Sequence, residues 1–278
     1  MNQDLIRISE IMLRKTNTDV SSLNSDFLKN TINDRQLKCG IKTLGEYINF
    51  LEDDGDEINI LSQQLSNTTS QFFRDDLTFS LLENTLLPHL IIDHDKKREI
   101  RVWSTACALG QEPYSVAILF EELKEKLGTN IPYRIFGTDI SEYALTQAQK
   151  GIYEFNDVEK AKLKVVEHYF TKKDKSYLLK DSVKKHVHFS KLDLVDEKSL
   201  HPIDGIYGGF DIIFCCNVLI YYQPKQQKII IDKLIGALAV NGFLILGEAE
   251  RLLVTHHDQL KHLGFNTAIF QKKSRKSE

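Results

Sequence analysis

Disulfides and structural zinc are the first things this sequence cannot be built around. It holds four cysteines in 278 residues, Cys39, Cys107, Cys215 and Cys216, and they form no C-x-x-C pair. Long apolar runs are missing too. The longest, Asp211–Cys216 and Gly242–Leu246, have the length of a strand and cannot span a bilayer, so no membrane insertion is expected. The opening residues MNQDLIRISE lack a basic stretch followed by an apolar one; no secretory signal is visible, and the expected compartment is the cytoplasm. Neither sign of charge dominates. Thirty-six Lys and Arg face 39 Asp and Glu, a net charge of -3, which removes any general electrostatic case for binding nucleic acid. The nine histidines show no spacing that would gather ligands around a metal, and none is expected. What remains is ordinary globular usage, 42% hydrophobic and 27% charged, enough to build a real core.

The hydrophobic period divides the chain. Residues 3 to about 62 repeat apolar positions at helical spacing, as in Leu5, Ile8, Ile11, Met12 and in Leu44, Tyr47, Ile48, Leu51, which predicts a bundle of short helices. Six acids and no base lie between Glu46 and Glu57, while Arg14, Lys15, Lys29, Arg35, Lys38 and Lys42 gather in the preceding helices. Charge alone reads these as solvated faces. From Arg98 onward the pattern changes to strand-like runs at Arg101–Ser104, Tyr133–Asp139, Val187–Ser190, Phe210–Cys215 and Phe243–Leu246. Helical segments such as Glu112–Leu127, Glu142–Lys150 and Lys225–Leu238 lie between them, so a doubly wound α/β domain with a parallel sheet is expected. Its ligand belongs at the carboxyl ends of the strands, where Ser104–Gln111, Asp139–Ser141, Asp193–Val195 and Asn217–Tyr222 converge. One stretch, Val158–Lys191, interrupts the alternation with ten Lys and no Arg and reads as an inserted subdomain with a solvated basic face.

The first βα loop, Ser104-Thr-Ala-Cys-Ala-Leu-Gly110, offers one glycine where a dinucleotide fingerprint needs three. Small Ala106 and Ala108 still permit close approach of a ligand without a pyrophosphate, and Asp139, ending the next strand, suits the ribose hydroxyls of an adenosine. Asp139 serves equally well as an N-cap. Two further runs carry polar groups: Ser66-Asn-Thr-Thr-Ser-Gln-Phe-Phe-Arg74 and Cys215-Cys-Asn-Val-Leu-Ile-Tyr-Tyr222.

Taken in order, S-Q-F-F-R, W-S-x-x-C-x-x-G-x-E-P-Y-S, T-D-I-S, G-I-Y, F-D-I-I-F-C-x-N-V-L-I-Y-Y and G-F-L-I-L-G-E-A-E resemble the chemotaxis receptor methyltransferases, the CheR family. The resemblance implies a Rossmann-like S-adenosylmethionine-dependent methyltransferase domain over 76–278, with an insertion near 158–191, preceded by an all-α receptor-docking domain and linker over 1–75. It implies transfer of a methyl group from S-adenosylmethionine to glutamate side chains on the cytoplasmic helical domain of chemoreceptors, leaving S-adenosylhomocysteine and a glutamyl methyl ester. A monomer is expected. By position, Arg74 and Tyr221 become the catalytic pair. Cofactor contacts fall to Thr68, Ser70, Arg74, Glu112, Asp139, Asp193, Leu194, Cys216 and Asn217. The sequence departs from the family at Thr68 and Ser70, where Asn and Thr are usual, at Asp193 for Asn, at Cys216 for Arg, and at Glu248-Ala249 for His-Ser. These departures leave open a cofactor-binding scaffold with little turnover, or a methyltransferase for another carboxylate. Docking is expected through the cations of residues 3 to 42, independent of any receptor tether, because Thr171–Tyr177 contains no glycine.

Overall fold

Apolar residues three and four apart make the first part of the chain helical: α1 (Gln3–Thr16), α2 (Ser25–Lys38), α3 (Leu44–Asp53) and α4 (Gly55–Leu65). Their starts are fixed locally. Asn24 Oδ1 accepts from the N–H groups of Asp26 and Phe27, and Thr43 and Glu46 close a reciprocal capping box on α3. Ile8, Met12, Leu28, Ile32, Tyr47, Leu51 and Leu61 form the shared core of these helices. The computed structural model describes residues 3–16, 18–65, 70–93, 98–202, 205, 209–264 and 267–274.

The charges of these helices are not merely solvated. Arg35 Nε donates to Glu57 Oε1 at 2.9 Å, the Tyr47 hydroxyl donates to the same oxygen at 2.6 Å, and the side chains of Arg35 and Glu57 are 12% and 5% exposed. Arg35 therefore joins α2 to α4 and does not serve as a docking cation. Arg14 pairs with Glu52, and Lys15 Nζ donates to the Leu51 carbonyl at 3.0 Å, near the negative end of α3. Of the six cations all but Arg35 are exposed, Arg14 and Lys15 while engaging α3, and Lys29, Lys38 and Lys42 elsewhere on the helical surface.

The next helical stretch comprises α5 (Asp76–Leu81), a π-helical turn (Leu82–Leu86) and α6 (Leu87–Asp93). Alternation then begins with β1 (Ile100–Thr105), α7 (Gln111–Leu127), β2 (Tyr133–Asp139) and α8 (Glu142–Lys150). The insertion follows as β3 (Ile152–Glu154), α9 (Phe155–Val158), α10 (Leu163–Tyr169), β4 (Phe170–Lys173), β5 (Ser176–Leu179) and α11 (Asp181–Lys184). The chain ends with β6 (Val187–Lys191), β7 (Phe210–Cys215), α12 (Pro224–Ala237), β8 (Leu238–Leu246), β9 (Leu260–His262) and β10 (Ile269–Lys272). Seven strands form one sheet in the order β6-β2-β1-β7-β8-β10-β9, and β3-β5-β4 form a separate antiparallel sheet. Five strands of the large sheet run parallel. The five strands expected to be parallel are so, and the sheet adds an antiparallel edge beyond them: β10 pairs antiparallel with both β8 and β9, the short link between β9 and β10 having no room for a crossover helix. β6, which fell inside the expected insertion, belongs to the large sheet, while β3 lies before the expected start.

By its contacts the chain forms two units. Helices α1–α4 and the segment Leu219–Ile229 make one, and the two sheets with their helices make the other. No described helix is long and apolar enough to cross a membrane.

The Arg35–Glu57 pair sets a stability test. Arg35→Ala strands a buried carboxylate and should destabilise the helical unit by about 3 to 5 kcal/mol, whereas Arg14→Ala, at an exposed pair, should cost under about 1 kcal/mol. Urea melts followed by circular dichroism measure both, and equal small losses would show that the Glu57 carboxylate does not need its partner.

Candidate functional site

Five strand ends of the sheet unit supply the site. After β1 the backbone turns through left-handed conformations at Ala106 (φ 46°), Ala108 (φ 49°) and Gly110 (φ 87°) before α7 begins. Gly110 is required here: a Cβ would lie 2.9 Å from that of Ala148. The turn aims the Ala108 N–H at Asp139, whose Oδ2 accepts it at 2.9 Å while Oδ1 accepts from Ser141 N–H at 2.8 Å. Burial pushes the Asp139 carboxyl above the usual range, and these backbone donors pull it back. The Leu192 N–H donates to the Asp139 carbonyl at 3.1 Å, tying the loop after β6 to the end of β2. In that loop Asp193 Oδ1 accepts from Val195 N–H, and Leu194 is buried. Lys233 of α12, which the sequence reading passed over, lies behind it. Its Nζ donates to the Asp196 carbonyl at 2.7 Å, and burial lowers its pKa against the opposing pull of Asp193, Asp196 and Glu197.

Beside these loops opens a cavity of about 420 Å³. Ser70, Arg74, Glu112, Cys216 and Asn217 all line it; Asp139, Asp193 and Leu194 do not, standing at the ends of β2 and β6 instead. Thr68 lies outside the described residues. Local packing explains why Arg74 points into the cavity. Phe72 is buried edge-on against Tyr153 and Phe170, Phe73 adopts φ 52° and packs on Phe79, and its N–H is held by Ser115 Oγ at 3.0 Å. Arg74, the next residue, is exposed, and Asp75 follows as the N-cap of α5.

Glu112 is set in the wall, open to the cavity on one side and enclosed by protein on the other. Burial pushes its carboxyl up to about 7; donation by Ser104 Oγ (2.7 Å) and by the Cys216 thiol opposes this, Glu250 adds to it, and Arg74 offsets it. Sequence reasoning missed Glu250. It is fully buried, yet Oε1 accepts from Val218 N–H at 2.6 Å, and Oε2 accepts from Asn217 N–H at 2.9 Å and Gly247 N–H at 2.8 Å. The close approach needs Gly247, where a Cβ would sit 2.8 Å from Glu250 Oε2 and 2.9 Å from Asn217 N. Asn217 itself is left-handed at φ 58°, a conformation that asparagine tolerates well. The available signal was a second acid two residues after Glu248 on an otherwise apolar strand end. Tyr221 is not among the cavity residues: it belongs to Leu219–Ile229 of the helical unit, with its ring 4.7 Å from that of Phe27. Among the described residues no group of three or more His, Cys, Asp or Glu could hold a metal.

Residues 67–269 match the family described as CheR methyltransferase, SAM binding domain. The chain is 31% identical over 254 residues to the chemotaxis protein methyltransferase of Borreliella burgdorferi, covering 90% of this chain and 88% of that protein. Against chemotaxis protein methyltransferase 1 of Pseudomonas aeruginosa the identity is 31% over 248 residues, covering 87% and 88%. The chemotaxis protein methyltransferase of Escherichia coli is 28% identical over 253 residues, covering 88% and 82%. By this family match over most of its length and these relatives, the chain belongs to the CheR methyltransferase family and is an S-adenosylmethionine-dependent methyltransferase.

Proposed function

We propose that this methyltransferase esterifies glutamate side chains on the helical cytoplasmic part of chemoreceptors. The observation that carries the reading is Arg74, a cation on the wall of a cavity whose other charged lining residues, Asp75, Asp76, Glu112 and Glu248, are acids. It is the group on that wall suited to an anionic acceptor. The names of the relatives, chemotaxis protein methyltransferases, support the same choice.

The residues fit the cofactor. Both Asp139 oxygens accept from backbone N–H groups, and the several lone pairs of a carboxylate leave acceptor capacity for a ribose hydroxyl. The small side chains at Ala106 and Ala108 keep the β1 turn open to close approach, Asp193 and Leu194 offer an acceptor and an apolar wall for adenine, and Ser70, Glu112, Cys216 and Asn217 face the cavity. When bound, S-adenosylmethionine supplies an electrophilic methyl group. A glutamate, with a pKa of about 4.3, is already ionised at neutral pH, so the chain needs no general base. Its task is orientation: Arg74 holds the carboxylate by charge-assisted hydrogen bonds, and the Tyr221 hydroxyl steadies one oxygen without a full charge. Lys29, Lys38 and Lys42 dock acidic receptor helices. Recognition proceeds without a tether, since the turn between β4 and β5 places Asp174 at φ 51° where a glycine would loosen it.

The deciding experiment is incorporation of tritiated methyl into base-labile ester on membranes rich in the source organism's chemoreceptors. Arg74→Ala and Tyr221→Phe should each cost on the order of 10²-fold in turnover, a larger loss than either causes in S-adenosylhomocysteine affinity. Wild-type turnover in either variant would remove that residue from the acceptor side, and absence of base-labile label with the wild-type protein would remove glutamate as the acceptor.

Glu112 adds a pH dependence. Its carboxyl titrates near 7, so the acceptor-only carboxylate forms as pH rises through that value. Calorimetry should find S-adenosylhomocysteine binding tightening from slightly acid to slightly alkaline pH, with Glu112→Gln flattening the profile. An unchanged slope in that variant would assign the titration to another group.

Docking is tested by pairing Lys29→Glu with Lys38→Glu. The variant should raise the KM for receptor membranes at low salt, the wild type should lose the same advantage as salt is added, and removal of the receptor's last residues should change neither. An unaltered KM in the double variant sinks the electrostatic docking surface.

A further inference from the structure

Tyr221 is held by the start of α2. The Asn24 N–H donates to the Tyr221 carbonyl at 2.7 Å, Leu23 bridges Tyr222 in antiparallel fashion, and the Gln223 N–H donates to the Ser22 carbonyl at 3.1 Å. Gln223 Nε2 donates to the carbonyls of Ser21 at 3.0 Å and Leu23 at 3.2 Å, so residues 21–24 and 221–223 form a short two-stranded splice. The same Asn24 is the N-cap of α2, with its side chain accepting from the N–H groups of Asp26 and Phe27. One residue thus fixes the first turn of α2 and the backbone of Tyr221 together. Above the splice the Phe27 ring packs on the core of the helical unit and meets the Tyr221 ring at 4.7 Å with planes 53° apart. Tilted aromatic contact limits ring rotation, and a phenol whose ring is braced points its hydroxyl in a restricted direction.

We propose that Phe27 is a positioning residue for methyl transfer, acting through Tyr221, and that the helix bearing Lys29 and Lys38 thereby couples acceptor docking to the setting of the phenol. The inference rests on the reading of Tyr221 as the acceptor-side hydroxyl. It requires that the contact matter to the rate at saturating acceptor and to nothing else. Cofactor binding draws on residues of the sheet unit, and docking draws on lysines that Phe27 does not replace.

The test compares Phe27→Leu, which keeps an apolar side chain on the core, with Phe27→Tyr, which keeps the ring. Both are combined with calorimetry of S-adenosylhomocysteine and the methyl-ester assay on receptor-rich membranes. Phe27→Leu should lower kcat by about tenfold or more, approaching the 10²-fold that a 1 Å misplacement costs, with KM and cofactor affinity unchanged. Phe27→Tyr should restore kcat, and Phe27→Leu combined with Tyr221→Phe should be no slower than Tyr221→Phe alone. Wild-type kcat in Phe27→Leu beside a slow Tyr221→Phe overturns the positioning role and leaves the Tyr221 reading standing. Losses that multiply in the combined variant, or a loss of cofactor affinity in Phe27→Leu, also overturn it. Wild-type kcat in Tyr221→Phe instead removes the Tyr221 reading, and the proposal falls with it.

Discussion

A single buried carboxylate orders the catalytic edge of the sheet. Glu250 is fully buried, and its carboxylate is gripped by the N–H groups of Asn217, Val218 and Gly247 at 2.6 to 2.9 Å. Charge-assisted bonds of that length offset the desolvation that would otherwise expel the charge, and they do so only while the ends of β7 and β8 stay together. The left-handed turn at Asn217 and the absence of a Cβ at Gly247 are consequences of that grip. Burial is what chiefly raises the Glu112 carboxyl, and the Glu250 charge adds a smaller push in the same direction.

The substitution of charge around this cavity becomes intelligible in those terms. Cys216 gives Glu112 a neutral thiol as donor, which steadies the carboxylate less than a cation would, and burial then wins, carrying Glu112 to near neutrality. On the other side of the sheet the anion at Asp193 faces Lys233, whose ammonium anchors the following loop through the Asp196 carbonyl. The two departures from the family pattern are therefore not alike. The one at Asp193 sits opposite a cation of this chain, while the one at Cys216 leaves the Glu112 carboxyl pushed up to about 7.

How much of this was legible varied with the range of the interactions. The five parallel strands could be read because strands buried on both faces are continuous apolar runs, and Asp139 and Arg74 because their places at a strand end and after two aromatics follow from local order. β4 and β5 were hidden in a lysine-rich stretch whose exposed edges carry no alternating signal, and β3, just ahead of it, is only three residues long. Arg35 was misjudged as a surface cation although its partner was in view: an acid-rich run beside a base-rich one is also what helices that pair with each other look like, and Arg35–Glu57 and Arg14–Glu52 realise it. The allegiance of Tyr221 was beyond reach, because Gln223 meets Ser21 across 202 residues and no local pattern encodes that register.

That last separation has a functional meaning. The residues proposed to hold the cofactor, other than Thr68, lie in the sheet unit, and their geometry closes on itself through Ala108, Asp139, Leu192 and the Glu250 grip. The residue proposed to steady the acceptor leaves that unit one step after Val218 and takes its bearings from the start of α2. Under the proposed roles, cofactor affinity and acceptor orientation therefore fall to different parts of the chain. On that assignment, substitutions that tune one need not disturb the other, and a change at the start of α2 would act through the backbone of Tyr221, to which Asn24 donates.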